Sequence, residues 1–116
     1  MDIRRVEEAK TPVLRCTTVI ERVDDALSII SACYENDAAR VLLHEDILPA
    51  AFFELQTRFA GEFVQKLVNY RIKIAAVFAK DDTYPERFRE YVAEARSGNQ
   101  FRTFADEASA LRWLEV

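Results

Sequence analysis

Two short, almost entirely apolar runs constrain the fold of this chain more than any other feature. They are residues 39–43, with the sequence ARVLL, and residues 72–78, with the sequence IKIAAVF. Near-continuous apolar runs, rather than alternating apolar and polar residues, are typical of strands that are covered on both faces. We therefore predict that the two runs form central, parallel strands of a sheet, joined by a crossover that is expected to be right-handed.

The segment between these runs carries the longest helical pattern in the chain, residues 49–70. On a helical period, Phe63 and Leu67 fall on one side and Glu62 falls towards the other, so we predict one long amphipathic helix with an exposed polar face. Gly61 lies inside this pattern, where glycine costs roughly 1 kcal/mol relative to alanine. We therefore expect a close contact at Gly61, either within the chain or with a helix of a second subunit, or else a kink.

The remaining segments complete an alternating pattern of strands and helices. Helical spacing of apolar residues predicts one helix before the first apolar run and two more, one after residue 84 and one after residue 106. The order predicts a single α/β domain, residues 1–116, with about four helices and a mixed sheet of about five strands, in which an N-terminal hairpin joins parallel strands. The strands are predicted at residues 3–6, 13–20, 39–43, 72–78 and 101–104.

Composition and charge argue against several classes of protein. The chain has 116 residues, of which 50% are hydrophobic and 31% charged, enough for one compact core without metal or disulfide support. The net charge of −4 leaves no basic field of the kind that nucleic-acid binding requires. No apolar run approaches the ~18 residues that span a bilayer, and the N-terminus lacks the apolar core of a signal peptide. We expect a cytoplasmic protein that binds neither membrane nor nucleic acid.

The two cysteines and two glycines limit the available chemistry further. Cys16 and Cys33 are too far apart for a CxxC motif, and each falls on the apolar face of its predicted element, so we expect inert buried thiols. Gly61 and Gly98 are the only glycines, and they cannot form a glycine-rich phosphate loop. We therefore expect no cofactor.

Three stretches of the sequence carry a family resemblance. They are LQTRFAGEFVQKLVNYRIK at residues 55–73, DALSIISACYENDAARVLL upstream, and the closing ADEASALRWL. Together they resemble a small bacterial family known only as domain of unknown function 4180, and the resemblance covers nearly the whole chain. The pattern FxLxTxxAGExxQKxxNYRIK is its most specific part. This family brings no established activity with it.

The order of the elements also resembles, more loosely, the sulfate-transporter and anti-sigma-factor-antagonist (STAS) fold. The closing strand and the helix with a motif similar to EALxWL belong to this likeness, which is at the level of the fold alone. It implies a partner-binding protein. Anti-sigma antagonists also carry a phosphorylatable Ser or Thr at the start of the helix after the third strand, whereas HEDILPAAFF, residues 44–53, has no hydroxyl group. A phospho-switch of that kind is therefore not predicted.

The first functional hypothesis is a non-enzymatic interaction or regulatory module that uses the polar face of the long helix. Its mixed donors and acceptors, with one tyrosine, are suited to a protein partner or to self-association. Many of these positions coincide with the residues that carry the family resemblance. The candidate residues are Thr57, Arg58, Glu62, Gln65, Lys66, Asn69 and Tyr70.

The second hypothesis is a small-molecule-binding or catalytic domain at the carboxyl edge of the sheet. His44, the only histidine, follows a central strand and is followed by Glu45, and Asp81 lies in the loop after the next strand. Open α/β folds usually bind ligands at this edge. A concave pocket that reaches His44 would favour this hypothesis, whereas a flat or self-complementary helix surface would favour the first.

We predict that the purified protein contains no stoichiometric metal. The single imidazole has no second histidine or spaced carboxylate to complete a ligand set, and neither thiol lies at ligand spacing. Elemental analysis of the untagged protein tests this, and one equivalent of zinc or iron per chain would contradict it.

Overall fold

The computed structural model describes residues 1–80 and 83–116 of the chain, and within them five strands form one sheet. The sheet order follows the chain order, with β1 antiparallel to β2 and the strands from β2 to β5 parallel to one another. This confirms the predicted α/β fold, with an N-terminal hairpin and the two apolar runs at the centre as β3 and β4. The strands are β1, Ile3–Arg5; β2, Leu14–Cys16; β3, Arg40–His44; β4, Lys73–Val77; and β5, Phe101–Phe104.

Four α-helices in the described residues cover the two faces of this sheet. The core beside α1, α2 and α3 lies on one face, whereas α4 packs on the other. Right-handed crossovers produce this arrangement when successive strands are added in one direction, since each connecting helix then falls on the same face. No helix of the described residues has the length and apolar character needed to cross a bilayer. The helices are α1, Ala26–Glu35; α2, Phe59–Asn69; α3, Glu86–Ala95; and α4, Glu107–Leu114.

The larger core, beneath α1, α2 and α3, is organised around the ring of Phe52. This ring is buried, and its centroid lies 5.8 Å from that of Phe88, 6.2 Å from that of Phe63 and 6.5 Å from that of Phe78, each in an edge-on arrangement. Edge-to-face pairs contribute about 0.5–1.5 kcal/mol beyond the area that they bury. Phe52 therefore connects α2, α3 and the end of β4 in one cluster.

The smaller core lies between α4 and the opposite face of the sheet. Leu42 of β3 and Ala75 and Val77 of β4 are buried there against Ala110 and Leu114 of α4. Because Ala75 has a small side chain, the helix can approach the middle of the sheet closely. Both faces of β3 and β4 are thus covered, as their near-continuous apolar sequences predicted.

The prediction of one long helix over residues 49–70 is wrong in its first half. Residues Ala50–Phe53 and Leu55–Thr57 form short 3-10 turns, and Arg58 has a left-handed backbone with φ of 66°, so α2 begins only at Phe59. Turns of three residues bring apolar side chains to one side at nearly the same spacing as an α-helix does. Apolar spacing alone therefore could not distinguish the two structures.

The expectation of an intrachain contact at Gly61 is also wrong. Gly61 is the third residue of α2, in the first turn, and it is exposed. A Cβ atom placed on it would have no heavy atom of another described residue within 4 Å, apart from its own neighbours in the helix. Nothing in the described part of the chain needs a glycine there, and its propensity cost is smaller at a helix end than in a helix interior.

We predict that Gly61→Leu leaves the folded chain equally stable or stabilises it by up to ~1 kcal/mol, since leucine has the better helix propensity and space is open to it. Urea unfolding at low micromolar protein concentration measures the change. A loss of more than about 1 kcal/mol would show that another part of the protein packs against position 61.

Candidate functional site

Four of the predicted polar-face residues share one surface along α2. Glu62, Gln65, Lys66 and Asn69 line a shallow groove of about 460 Å³ together with Gly61. The Gln65 side chain donates a hydrogen bond to Oδ1 of Asn69 at 2.8 Å, and the Lys66 ammonium lies 3.7 Å from the carboxylate of Asp24. The groove therefore presents amide, acidic and basic groups side by side.

Thr57 and Arg58 do not line this groove, because both lie in the turn before α2. The Thr57 hydroxyl lies 2.7 Å from the carbonyl oxygen of Ala51 and 2.8 Å from that of Glu54, and it accepts a hydrogen bond from the amide of Phe59 at 3.2 Å. Thr57 thus stabilises the entry into the helix. Arg58 is exposed and supplies the left-handed residue of the same turn.

Tyr70 lines a second cavity, of about 430 Å³, at the carboxyl ends of α1 and α2. Tyr70 is 62% exposed, and Tyr34 of α1, which lines the same cavity, is 88% exposed. Apolar side chains predominate among the other lining residues: Ile30, Cys33, Ala38 and Ile72, with Ser31 and Glu35. The structure therefore places an apolar concavity with two exposed aromatic rings beside the polar groove. We refer to the cavity and the groove together as the α1–α2 face.

Tyr34 was not among the predicted site residues, because helical spacing put it on the apolar side of α1. In the structure it is exposed, and so is Leu27, one of the few other large apolar side chains at the surface. Residues seven positions apart lie on the same side of a helix, so this pair forms an outward apolar stripe. An apolar arc too wide for one buried face is the sequence signal that could have revealed it.

The thiol in this cavity is unreactive. Cys33 is buried, and desolvation raises its pKa to about 11, so almost no thiolate exists at neutral pH. Burial also raises the pKa of Cys16. These shifts agree with the predicted inert thiols, and the cavity offers apolar surface rather than a nucleophile.

The residues of the second candidate site, at the carboxyl edge of the sheet, do not form one cluster, because His44 and Glu45 have different partners. His44 ends β3, and its Nε2–H donates a hydrogen bond to Glu107 of α4 at 2.8 Å, while the Arg15 guanidinium of β2 pairs with the other carboxylate oxygen of Glu107. Glu45 instead contacts Ala79 and Tyr84. Asp81 lies outside the described residues. Sequence reasoning missed the partner of His44, Glu107, and the second partner of that carboxylate, Arg15, because both come from distant parts of the chain.

The carboxylate of Glu45 holds the loop that follows β4. It accepts a hydrogen bond from the amide of Ala79 at 3.1 Å and another from the hydroxyl of Tyr84. The Tyr84 ring in turn stacks on Phe53, with centroids 4.7 Å apart and planes 3° from parallel. Glu45 thus connects the ends of two strands to the start of α3.

The groups around Glu107 stabilise the ionised form of its side chain. Desolvation alone would raise its pKa, but hydrogen bonds from His44 and Arg15 and the positive charge of Arg15 outweigh that effect and lower the pKa below its ordinary value. Glu107 is also the first residue of α4, where a negative charge interacts favourably with the helix dipole, and Asp106 caps the helix by accepting from the amide of Ser109 at 2.8 Å. The His44 cluster therefore holds the start of α4 on the sheet.

The His44 cluster, formed by His44, Arg15 and Glu107, is separate from the α1–α2 face. The cavities of the α1–α2 face do not reach His44. Among residues 1–80 and 83–116, no group of three or more His, Cys, Asp and Glu side chains could hold a metal ion. The side chains of His44, Arg15 and Glu107 are each about one-third exposed, and their polar atoms are engaged with one another.

Acid should destabilise the wild-type protein more than it destabilises the Glu107→Gln variant. Because the folded-state pKa of Glu107 is depressed, its ionised form contributes stability above the pKa of the unfolded chain, and this contribution is lost as the pH falls through the folded-state pKa. We expect the substitution to narrow the difference in unfolding free energy between pH 7 and about pH 3 by up to ~1 kcal/mol. Glu90→Gln, at an exposed position on α3, is the matched control; an equal effect of both substitutions would contradict the assignment.

Comparison with known proteins places the chain in one family. A search of curated proteins and a search of solved structures each find no match to it, so the likeness to STAS domains stays a prediction. The model of DUF4180, a domain of unknown function, matches residues 8–114, a range that includes all four α-helices and four of the five strands. The chain therefore belongs to the DUF4180 family.

Proposed function

We propose that this chain is a one-domain, non-enzymatic interaction module that binds a protein partner through the α1–α2 face. The observation that carries the proposal is the apolar cavity between the exposed rings of Tyr34 and Tyr70. Exposed tyrosines beside a concavity are typical of binding surfaces, because each ring buries a large area while losing little conformational entropy.

The arrangement of the face supports a protein as the ligand. Protein interfaces commonly have an apolar centre that accepts an anchor side chain, surrounded by a polar rim. Here the cavity supplies the apolar centre, and the groove of α2 supplies the rim through Glu62, Gln65 and Lys66. The partner segment that fits this pattern presents one apolar or aromatic side chain to the cavity and charged groups of both signs to the groove.

The His44 edge is the weaker alternative. The contacts of Glu107 with His44 and Arg15 attach the start of α4 to the sheet. The carboxylate of Glu45 is used by its hydrogen bonds from Ala79 and Tyr84. The net charge of −4 and the free, buried cysteines are consistent with a protein that acts in the cytoplasm without nucleic acid. We therefore also propose a cytoplasmic location.

Site-specific photocrosslinking in the cells that produce the protein tests the proposal. With a benzophenone amino acid in place of Tyr34, we expect a discrete adduct on irradiation, and we expect Tyr70→Ala in the same chain to remove it. The mass of the adduct separates a different protein from a second copy of this chain.

Two control positions carry the same photocrosslinking residue. Asp46 lies beside His44, and Arg112 lies on α4 across the sheet; both are exposed. An adduct at Asp46 without one at Tyr34 would favour the His44 edge. Equal adducts at all three positions, or none at Tyr34, would overturn the proposed interaction surface.

A further inference from the structure

We infer that the amino edge of the sheet binds a small oxyanion, a phosphate or carboxylate group, in the cavity beside Arg71 and Lys73. This cavity has a volume of about 220 Å³, and it lies at the opposite edge of the sheet from His44. Two cations and two side-chain amides line it, with two apolar residues beneath them and no acidic residue: Arg71, Lys73, Asn99, Gln100, Val68 and Ile72.

The electrostatics of this edge favour an anion. Arg40 and Arg102 come from the starts of β3 and β5, on either side of Lys73 in β4. Among the described residues, neither these three cations nor Arg71 has a carboxylate within 4.0 Å, in a chain whose net charge is −4. Four basic side chains thus lie at this end of the sheet without an acidic partner within that distance; Arg71 and Lys73 line the cavity, whereas Arg40 and Arg102 do not.

The nearby backbone compensates only part of this charge. Arg40 donates to the carbonyl oxygen of Leu114, and the Lys73 ammonium donates to that of Trp113 at 2.8 Å and lies 4.2 Å from the centre of the Trp113 ring. These carbonyls form the carboxyl end of α4, and α2 also ends at this edge. Each helix terminus supplies roughly half a negative charge, so most of the positive charge remains.

Lys73 and Arg102 each carry an unfavourable interaction at this end of the sheet. The pKa of Lys73 is lowered, first by desolvation and then by repulsion from Arg40 and Arg102. The guanidinium of Arg102 donates to the carbonyl oxygens of Arg96 at 2.6 Å and Gly98 at 3.3 Å, but its Nε–H group is buried and has no acceptor among the described residues. A bound oxyanion would relieve the repulsion and offer acceptors to the donors that line the cavity.

Arg71 occupies a position that usually belongs to glycine. Its φ is 60°, its amide donates to the carbonyl of Val68 at 2.8 Å, and the amide of Ile72 donates to that of Leu67 at 3.2 Å. This pair of bonds is the Schellman arrangement that ends α2, and a non-glycine residue there costs about 1–2 kcal/mol. This left-handed turn ends α2 at the cavity, and Arg71 is one of the residues that line it.

Inorganic phosphate is the probe for this site, with sodium chloride at matched ionic strength as the reference. In ¹⁵N-labelled protein, we expect saturable shifts of the amide signals at residues 71–74 and 99–102. Acetate in a parallel titration distinguishes the chemistry: tighter binding of phosphate assigns a phosphate group to the ligand, and tighter binding of acetate assigns a carboxylate. Shifts that do not saturate with either anion, or that chloride reproduces, would overturn the inference.

Arg71→Asn is the decisive variant, because asparagine tolerates the left-handed backbone while removing the charge. We expect it to weaken phosphate binding at least threefold. Arg58→Asn is the matched control, since Arg58 is also exposed and also has a left-handed backbone, with φ of 66°, but lies away from the cavity. Equal weakening by both substitutions would show that only the net charge matters and would contradict the site.

Discussion

Coverage of β3 and β4 on both faces is the constraint on which the rest of the structure depends. Their buried side chains leave no face of the central sheet for solvent, so helices must pack on both sides. Three helices reach one face through the crossovers between parallel strands, and α4 covers the other by folding back after β5. The functional surfaces are therefore the outer sides of these helices and the two edges of the sheet.

Side chains from both edges of the sheet contact α4, one set at its start and the other at its end. At the carboxyl edge, His44 and Arg15 pair with Glu107 at the start of the helix. At the amino edge, Arg40 and Lys73 donate to carbonyl groups at its end. Both arrangements match the helix dipole. The difference between them is that the carboxyl edge is neutralised by an acidic side chain, whereas the amino edge keeps an excess of positive charge.

Sequence reasoning predicted the fold best where burial alone determines the pattern. The runs that form β3 and β4 could be recognised because burial on both faces makes them nearly continuously apolar. The segment before α2 could not, since 3-10 turns and a left-handed Arg58 keep a helical spacing of apolar residues without forming a helix. The pairing of His44 and Arg15 with Glu107 could not be predicted either, because it depends on the parallel register and on how α4 folds back. Both pairings join residues that are far apart in the sequence and are brought together only by the topology of the sheet.

The agreement between sheet order and chain order has a consequence for folding during synthesis. Each strand can pair with the one made just before it, so the sheet can extend in the direction in which the chain emerges. The face of the sheet that α4 covers is buried later, because α4 is the last helix to be made. Leu42, Ala75 and Val77 are made before residues 107–114, so one apolar side of the growing sheet stays uncovered until after the last strand has emerged. During that interval the nascent chain presents a surface that molecular chaperones commonly recognise and that can drive aggregation.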